Sequence, residues 1–413
     1  MESGAVKAPV KSMELSRQTF DKVMFPCYQP FDMMLTHGHG SYVYDSEENR
    51  YLDLTGGIAV NCLGHTPDEV QEVIREQASR LIHVSNIFTN NKTLELAQRL
   101  TDATGFERVF FVNSGTEANE AALKLARRVA FDDFGEEKNE IIAFDHSFHG
   151  RTFFAVCVAG QDKYSSGFGP KPGAITHLKY NDLEAIESHI SDKTCAVIVE
   201  PVQGEGGIIP ADPLFMKRLR ALCDQHRALL IFDEVQTGVG RSGSLYAYMQ
   251  CPVKPDILTT AKGLGSGLPI GAVLSSSAIA AHFGPGTHGS TFGGNALACA
   301  VGCYVLQKVG SEKFLSKVRA KGELLRNLLT DLGERHGVFA QVRGQGLLLG
   351  CVLAKPYQGQ SAKLQKLCFK HGLLTLVAGP DVLRLAPALN IKKAQLREGA
   401  ELLELALLEL KEA

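Results

Sequence analysis

The chain has 413 residues, 43 of them basic and 45 acidic, for a net charge of −2. That length allows two or three domains around a large core. The balanced charge, without any basic run, argues against nucleic acid and anionic membrane as partners. No apolar stretch approaches the roughly 20 residues that a bilayer span requires.

The N-terminal MESGAVKAPVKSMELSRQ lacks the apolar core of a secretory signal and carries Glu2 and Glu14, which transit peptides avoid. Ten cysteines are scattered without a C-x-x-C, and Cys299 and Cys303, four apart on an expected helix, read as packing residues. The histidine pairs His37/His39 and His146/His149 belong to no HExxH and no Cys/His cluster, so no metal site is expected. These features together read as a reduced, cytoplasmic enzyme.

In chain order, residues 11–60 predict a helix and a small hairpin, SYVYDSEENRYLDL, with two strands around a polar turn. Strand-like runs follow at RVFFV (108–112), EIIAF (140–144), CAVIVE (195–200), LLIFD (229–233) and AVLSS (272–276), alternating with helical patterns. This is the signature of an α/β fold with a large, mostly parallel sheet. The first helix is marked by Ala118, Ala121, Ala122, Leu125, Ala126 and Val129 on one face. Residues 312–413 predict a helix, a strand pair around VRGQGLLLGCVL, and a last helix with Leu396, Ala400, Leu403, Leu407 and Leu410 aligned. The expected organisation is a large domain over 61–311, with 1–60 and 312–413 joining as a smaller α+β domain.

Two residues carry the chemistry. Asp233 ends a short apolar run, ALLIFDEVQ, and Lys262 follows a second one, DILTTA, before glycines 263, 265 and 267. Open α/β sheets gather ligands at the carboxyl ends of their strands. A carboxylate and an amine delivered there can grip the two ends of a pyridine aldehyde, the Lys through an imine and the Asp at the ring nitrogen. Taken singly, Lys262 also reads as a solvated charge and Asp233-Glu234 as a loop start. VFFVNSGTEANEAALK runs a strand through Asn113, Ser114, Gly115 and Thr116 into the first helix, which is either a plain N-cap or an anion cradle. Ser290 and Thr291 lie in a second glycine-rich turn, HGSTFGGNALA. Gly238, Gly240 and Gly243 spell a G-x-G-x-x-G, the mark of an NAD-dependent oxidoreductase, but EVQT intervenes after the strand and no amphipathic helix follows.

NSGTEANEAALKLARR, HSFHGRT, EPVQGEGG, IFDEVQTGVGR, LTTAKGLG and HGSTFGGN stand in the order and spacing of the class III, ornithine-type aminotransferases of fold type I. The resemblance runs from about residue 20 to 405. AYMQCPVKPDILTTAKGLG, VRGQGLLLGCVL and GPDVLRLAPALN make it narrower, towards the acetylornithine and succinylornithine transaminases of arginine metabolism.

The resemblance implies a fold type I sheet of seven strands, pyridoxal 5′-phosphate (PLP) as cofactor, and transfer of the ω-amino group of N2-succinylornithine or N2-acetylornithine to 2-oxoglutarate. It assigns Lys262 and Asp233 to catalysis. Ser114, Gly115 and Thr116 would hold the phosphate, Phe148 and Val235 the ring faces, and Glu234 and Gln236 the rest of the cofactor, with Gln236 at the ring hydroxyl. Thr291 would reach the same phosphate from a partner subunit, making a homodimer with shared sites, and Ser290 would lie near substrate. Arg151 would bind the far carboxylate of the substrate and Arg384 the α-carboxylate of glutamate, as bidentate forks. Glu205 would neutralise Arg384 when an ω-amine is bound. Without the resemblance, Glu205 reads as a loop carboxylate and Arg384 as a structural cation. Other ω-amino-acid aminotransferases, acting on ornithine or 4-aminobutyrate, and a racemase or mutase of the same fold stay open, as does acetyl against succinyl. The chain departs from the family at Gly64-His65-Thr66-Pro67, one residue tighter, and at Ser266, where glycine is frequent.

Overall fold

The structure, a computed structural model, describes residues 15–412. The segment with Glu2 and Glu14 lies outside the described residues, as does the start of the helix expected from residue 11.

Seven strands form the large sheet in the order Arg108–Val112, Gly271–Ser275, Ile257–Thr260, Leu229–Asp233, Thr194–Val199, Glu140–Phe144, Ile175–Leu178. All run parallel except Gly271–Ser275, which is antiparallel to both neighbours. The connection over 261–270 holds only a short 3₁₀ turn, and a parallel return needs a crossover of a dozen or more residues. The strand Ile175–Leu178 has one fully buried residue in four, too weak an alternation to mark it in the sequence. Central strands such as Thr194–Val199 are buried throughout, as a sheet covered on both faces requires. The helix Gly115–Phe134 lies on one face, with Ala118, Ala121, Ala122, Leu125, Ala126 and Val129 all in the core.

The two chain ends meet. Leu35–His39, Tyr42–Asp45 and Arg50–Asp53 form an antiparallel sheet, one strand more than the expected hairpin. Leu373–Leu374 joins it beside Arg50–Asp53. Phe339–Gln345 and Leu348–Leu353 pair as expected, and Val382–Leu385 and Leu376–Val377 extend that sheet. The last helix, Lys393–Glu412, buries Leu396, Ala400, Leu403, Leu407 and Leu410. The close approach of its Gly399 leaves no room for a side chain against Leu54.

The tight Gly64-His65-Thr66-Pro67 stretch anchors the N-terminal sheet. Gly40 and His65 exchange backbone hydrogen bonds of 2.9 and 2.7 Å, and His65 Nε2 sits 2.7 Å from Asp53 Oδ2. Cys299 and Cys303 are buried on the helix Ala296–Val309, and all ten cysteines are free thiols. Among the described residues no helix is long and apolar enough to cross a membrane.

Candidate active site

Asp233 and Thr259 are register partners on adjacent parallel strands, so both chains leave the sheet at the same edge. Three residues later Lys262 adopts φ +44°, and Ser266 follows at φ +43°. A side chain in the left-handed region costs roughly 1–2 kcal/mol. Such strain persists only where the surroundings over-determine it. Here Cys62 Sγ donates to Gly263 O at 3.2 Å, and Ser266 Oγ accepts from Leu63 N at 3.4 Å. The serine that replaces glycine therefore sits at positive φ and gains a hydrogen bond that glycine lacks. Lys262 Nζ has no hydrogen-bond partner among the described residues, and the side chain lines a cavity of about 380 Å³. Burial holds its ammonium pKa down to about 8; Arg384 adds to this, and Glu205 and Asp233 oppose it.

Asp233 lines the same cavity and is buried. Its Oδ2 accepts from Asn119 Nδ2 at 2.7 Å and pairs with His149 Nδ1 at 2.8 Å, while Oδ1 accepts from Val235 N at 3.0 Å. Asn119 was not singled out in the sequence, and His149 was weighed there only as half of a histidine pair without metal-site spacing. The signal for Asn119 was present: an amide interrupting the alanine stripe that faces the sheet. Glu234 turns the other way. Its carboxylate accepts from Ala247 N, Tyr248 N and Thr237 Oγ1 at 2.6, 2.8 and 3.0 Å, and burial pushes its pKa up to about 7. Successive residues leaving a strand point to opposite faces, so Glu234 is not brought to the cavity and its expected cofactor contact is corrected.

Ser114 caps the helix Gly115–Phe134, accepting from Glu117 N at 3.3 Å, and Glu117 returns a carboxylate to Ser114 Oγ and Asn113 N. The plain N-cap is thus real, but it leaves the N–H groups of Gly115 and Thr116 without an acceptor among the described residues. They open onto the cavity. Gly115 is required by space: a Cβ there would stand 2.5 Å from Val235 Cγ1. Gly150, at φ +133°, lets the next loop close over Thr116, whose Oγ1 accepts from Arg151 N and Thr152 N at 3.2 Å.

Phe148 flanks the cavity, and the Arg151 guanidinium lies 3.7 Å from the ring centre of Tyr164 and 5.5 Å from that of Phe148. Arg384 is buried behind Glu205. Its Nη1 donates to Glu205 Oε1 at 2.5 Å, Gly204 O at 3.3 Å and Gln236 Oε1 at 3.4 Å, and its Nε is buried without a partner. Burial raises the Glu205 carboxyl, but Arg384 and then Lys262 more than offset this, leaving the pKa lowered. Ser290 and Thr291 do not reach the cavity of their own chain: Ser290 Oγ is engaged by Asn113 Nδ2 at 3.3 Å and Gly293 N at 2.9 Å, and Thr291 is exposed. The Gly238–Gly243 motif is followed by turns rather than a helix, so the dinucleotide reading fails for want of a helix N-terminus.

The residues present fit a phosphorylated pyridine aldehyde. An unpartnered amine, a buried carboxylate and a pair of free N–H groups line one cavity, with Val235 and Phe148 available for ring faces.

A family model described as Aminotransferase class-III matches residues 24–407. The chain is 53% identical to the acetylornithine aminotransferase of Vibrio vulnificus (strain YJ016), over 96% of this chain and 98% of the relative. It is 52% identical to the succinylornithine transaminase of Photorhabdus laumondii subsp. laumondii, over 95% and 98%. Among solved structures, it is similar to N-acetylornithine aminotransferase from Stenotrophomonas maltophilia K279a, with TM-score 0.83, 40% identity and 93% and 98% coverage. It also resembles ornithine aminotransferase from Toxoplasma gondii ME49, with TM-score 0.91, 30% identity and 96% and 94% coverage. The chain belongs to the class III aminotransferases and is a PLP-dependent enzyme.

Proposed function

We propose that the protein transfers the ω-amino group of an N2-acylated ornithine, acetyl or succinyl, to 2-oxoglutarate, giving the acylated glutamate 5-semialdehyde and L-glutamate. When bound, PLP supplies an aldehyde that captures amines and a ring that accepts electron density. Lys262 Nζ, freed of its proton near pH 8 by burial, takes the proton from the substrate carbon and returns it. The Asp233 carboxylate, fixed by Asn119, His149 and the Val235 N–H, holds a proton on the ring nitrogen. Val235 and Phe148 would flank the ring faces, and Gln236, which also lines the cavity, would serve the ring hydroxyl. Ser114, Gly115 and Thr116, joined by Thr291 of the partner subunit, bind the phosphate.

The buried Arg384–Glu205 pair beside Lys262 is the observation that carries the substrate reading. An ω-amine brings no carboxylate to Arg384, and an unpaired buried cation costs several kcal/mol, on the order of 3–5 when a partner is removed. Glu205 supplies the missing charge for the acylated ornithine and yields to the α-carboxylate of glutamate. Arg151 binds the distal carboxylate. Ser290, on the same turn as Thr291, would lie near the substrate of the neighbouring subunit's site.

A homodimer in the cytoplasm is part of the same reading. Ile87 is 83%, Phe88 63% and Phe292 59% exposed. Asn86 Nδ2 joins their two segments by donating to Ser290 O and Gly293 O, both at 2.9 Å. An apolar face continuous with Thr291 is what a shared-site interface needs.

The test is kcat/KM for N-acetylornithine, N-succinylornithine, ornithine and 4-aminobutyrate, each with 2-oxoglutarate. Either acylated substrate should exceed ornithine at least tenfold; a preference for ornithine or 4-aminobutyrate would reassign the enzyme.

A further inference from the structure

Glu200 holds none of the roles given above. It is the first residue beyond the strand Thr194–Val199, buried, and no cation pairs with it among the described residues. Its two carboxylate oxygens serve two different loops: Oε1 accepts from Phe148 N at 2.9 Å and Oε2 from Gly204 N at 3.0 Å. Its own carbonyl accepts from Tyr180 Oη at 2.7 Å, so the brace is itself fixed to the core.

The first loop presents Phe148 to the cavity and carries His149, which pairs with Asp233. The second leads into Glu205 and its ion pair, and the Gly204 carbonyl accepts from Arg384 as well. Both groups that Glu200 receives are N–H donors, and a carboxyl group can offer an acceptor at each end. An amide would turn an NH₂ towards one of them. Burial pushes the Glu200 carboxyl up to about 7, with His149 opposing the shift and Asp233 adding to it; a group this costly to bury is not needed to tether a single loop.

We propose that Glu200 is a positioning residue that couples the Phe148 face of the cofactor cavity to the Glu205–Arg384 pair, so that Glu205 closes on Arg384 against a fixed ring position. This rests on the reading of Glu205 as the group that alternates with the glutamate carboxylate. With the ω-amine bound, Glu205 must return to Arg384, and the anchored Gly204 N–H limits where it can go. With glutamate bound, Glu205 leaves and the anchor matters less. Loss of the anchor therefore penalises one half-reaction more than the other.

Stopped-flow measurement of each half-reaction on the holoenzyme tests this with Glu200→Gln. The ω-amine rate should fall about tenfold more than the glutamate rate, the visible circular dichroism of the bound cofactor should change, and hydrogen exchange in the cofactor-free protein should quicken within 146–150 or 202–206. A ratio of half-reactions within twofold of wild type, whatever the total loss of activity, would overturn the proposal. Should Glu200→Gln not fold, Tyr180→Phe releases the brace from outside the cavity and should move the ratio two- to fivefold the same way; an unchanged ratio overturns the proposal equally. Glu205→Gln run alongside separates the two levels. If it leaves the ratio unmoved, the donor-switch reading falls and this inference with it; if it moves the ratio and Glu200→Gln does not, this inference alone fails.

Discussion

Asn119 Nδ2 donates to Asp233 Oδ2 at 2.7 Å and to the His149 carbonyl at 2.8 Å, while its Oδ1 accepts from Thr259 Oγ1 at 2.8 Å. One amide thus fixes the helix that carries the anion cradle to the strand ends that carry Asp233 and lead to Lys262. Asn119→Ala leaves buried partners unsatisfied, at about 1–3 kcal/mol. Chemical denaturation should show that loss. Separately, Asp233 loses a partner that fixes it, and kcat/KM should fall about tenfold, equivalent to about 1.4 kcal/mol of the barrier. Unchanged kinetics would detach Asn119 from the site.

Lys262 combines a lowered pKa with a strained backbone. The neutral amine is the reactive form, so the rate at which cofactor-free protein takes up PLP should rise with pH and level off above about 8. Lys262→Ala should fold and lose turnover. Lys262→Gly should be the more stable of the two variants by roughly 1 kcal/mol, because glycine alone accepts φ +44° without penalty. Equal stabilities would show that the turn relaxes once the lysine is gone.

How much of this was legible in the sequence follows from what each residue depends on. Lys262 and Asp233 were legible because glycines and short apolar runs mark the ends of buried parallel strands. Ser114, Gly115 and Thr116 were legible because a cap preceding a periodic alanine face has a local signature. Glu234 was misjudged because motif adjacency carries no information about which side of the chain a carboxylate takes; three donors from the 237–248 turn decide it. The antiparallel Gly271–Ser275 depends on what its connection lacks, and Ile175–Leu178 on long-range pairing with Glu140–Phe144. Thr291 does not line the cavity of its own chain, so nothing in a single chain's sequence or packing could place it.

Glu234 should act on stability. Glu234→Ala strips acceptors from the Ala247 and Tyr248 N–H groups, each worth about 1–3 kcal/mol when buried and unpaired, and should lower Tm before it touches cofactor affinity. Burial raises its folded pKa from 4.5 to about 7. The folded state therefore binds this proton more tightly than the unfolded one, and the associated stability is full below pH 4.5 and is lost as pH rises through about 7. The Tm of Glu234→Gln relative to wild type should accordingly rise across that interval. A flat difference would mean that Glu234 stays ionised throughout.

Gly115→Ala separates local helix preference from the needs of the site. Alanine favours a helix over glycine by about 1 kcal/mol, yet its Cβ would stand 2.5 Å from Val235 Cγ1. Val235 must shift away from the ring face it is assigned. Fluorescence titration should give a Kd for PLP at least tenfold weaker, with little loss of thermal stability. Unaltered affinity would remove Val235 from the cofactor's surroundings.

Thr291 is exposed beside the apolar Ile87–Phe88–Phe292 face, while the free N–H groups of Gly115 and Thr116 wait in the cavity of the same chain. If Thr291 completes a neighbour's phosphate site, Lys262→Ala and Thr291→Asp chains are each inactive alone but complementary together. Random reassociation at equal amounts makes half of the dimers mixed. Each mixed dimer has one site with an intact lysine and an intact threonine, so about a quarter of wild-type activity should return. Were Thr291 to act within its own chain, every site in the mixture would lack one of the two residues and no activity would return. The count of restored sites therefore reads out which chain each residue serves.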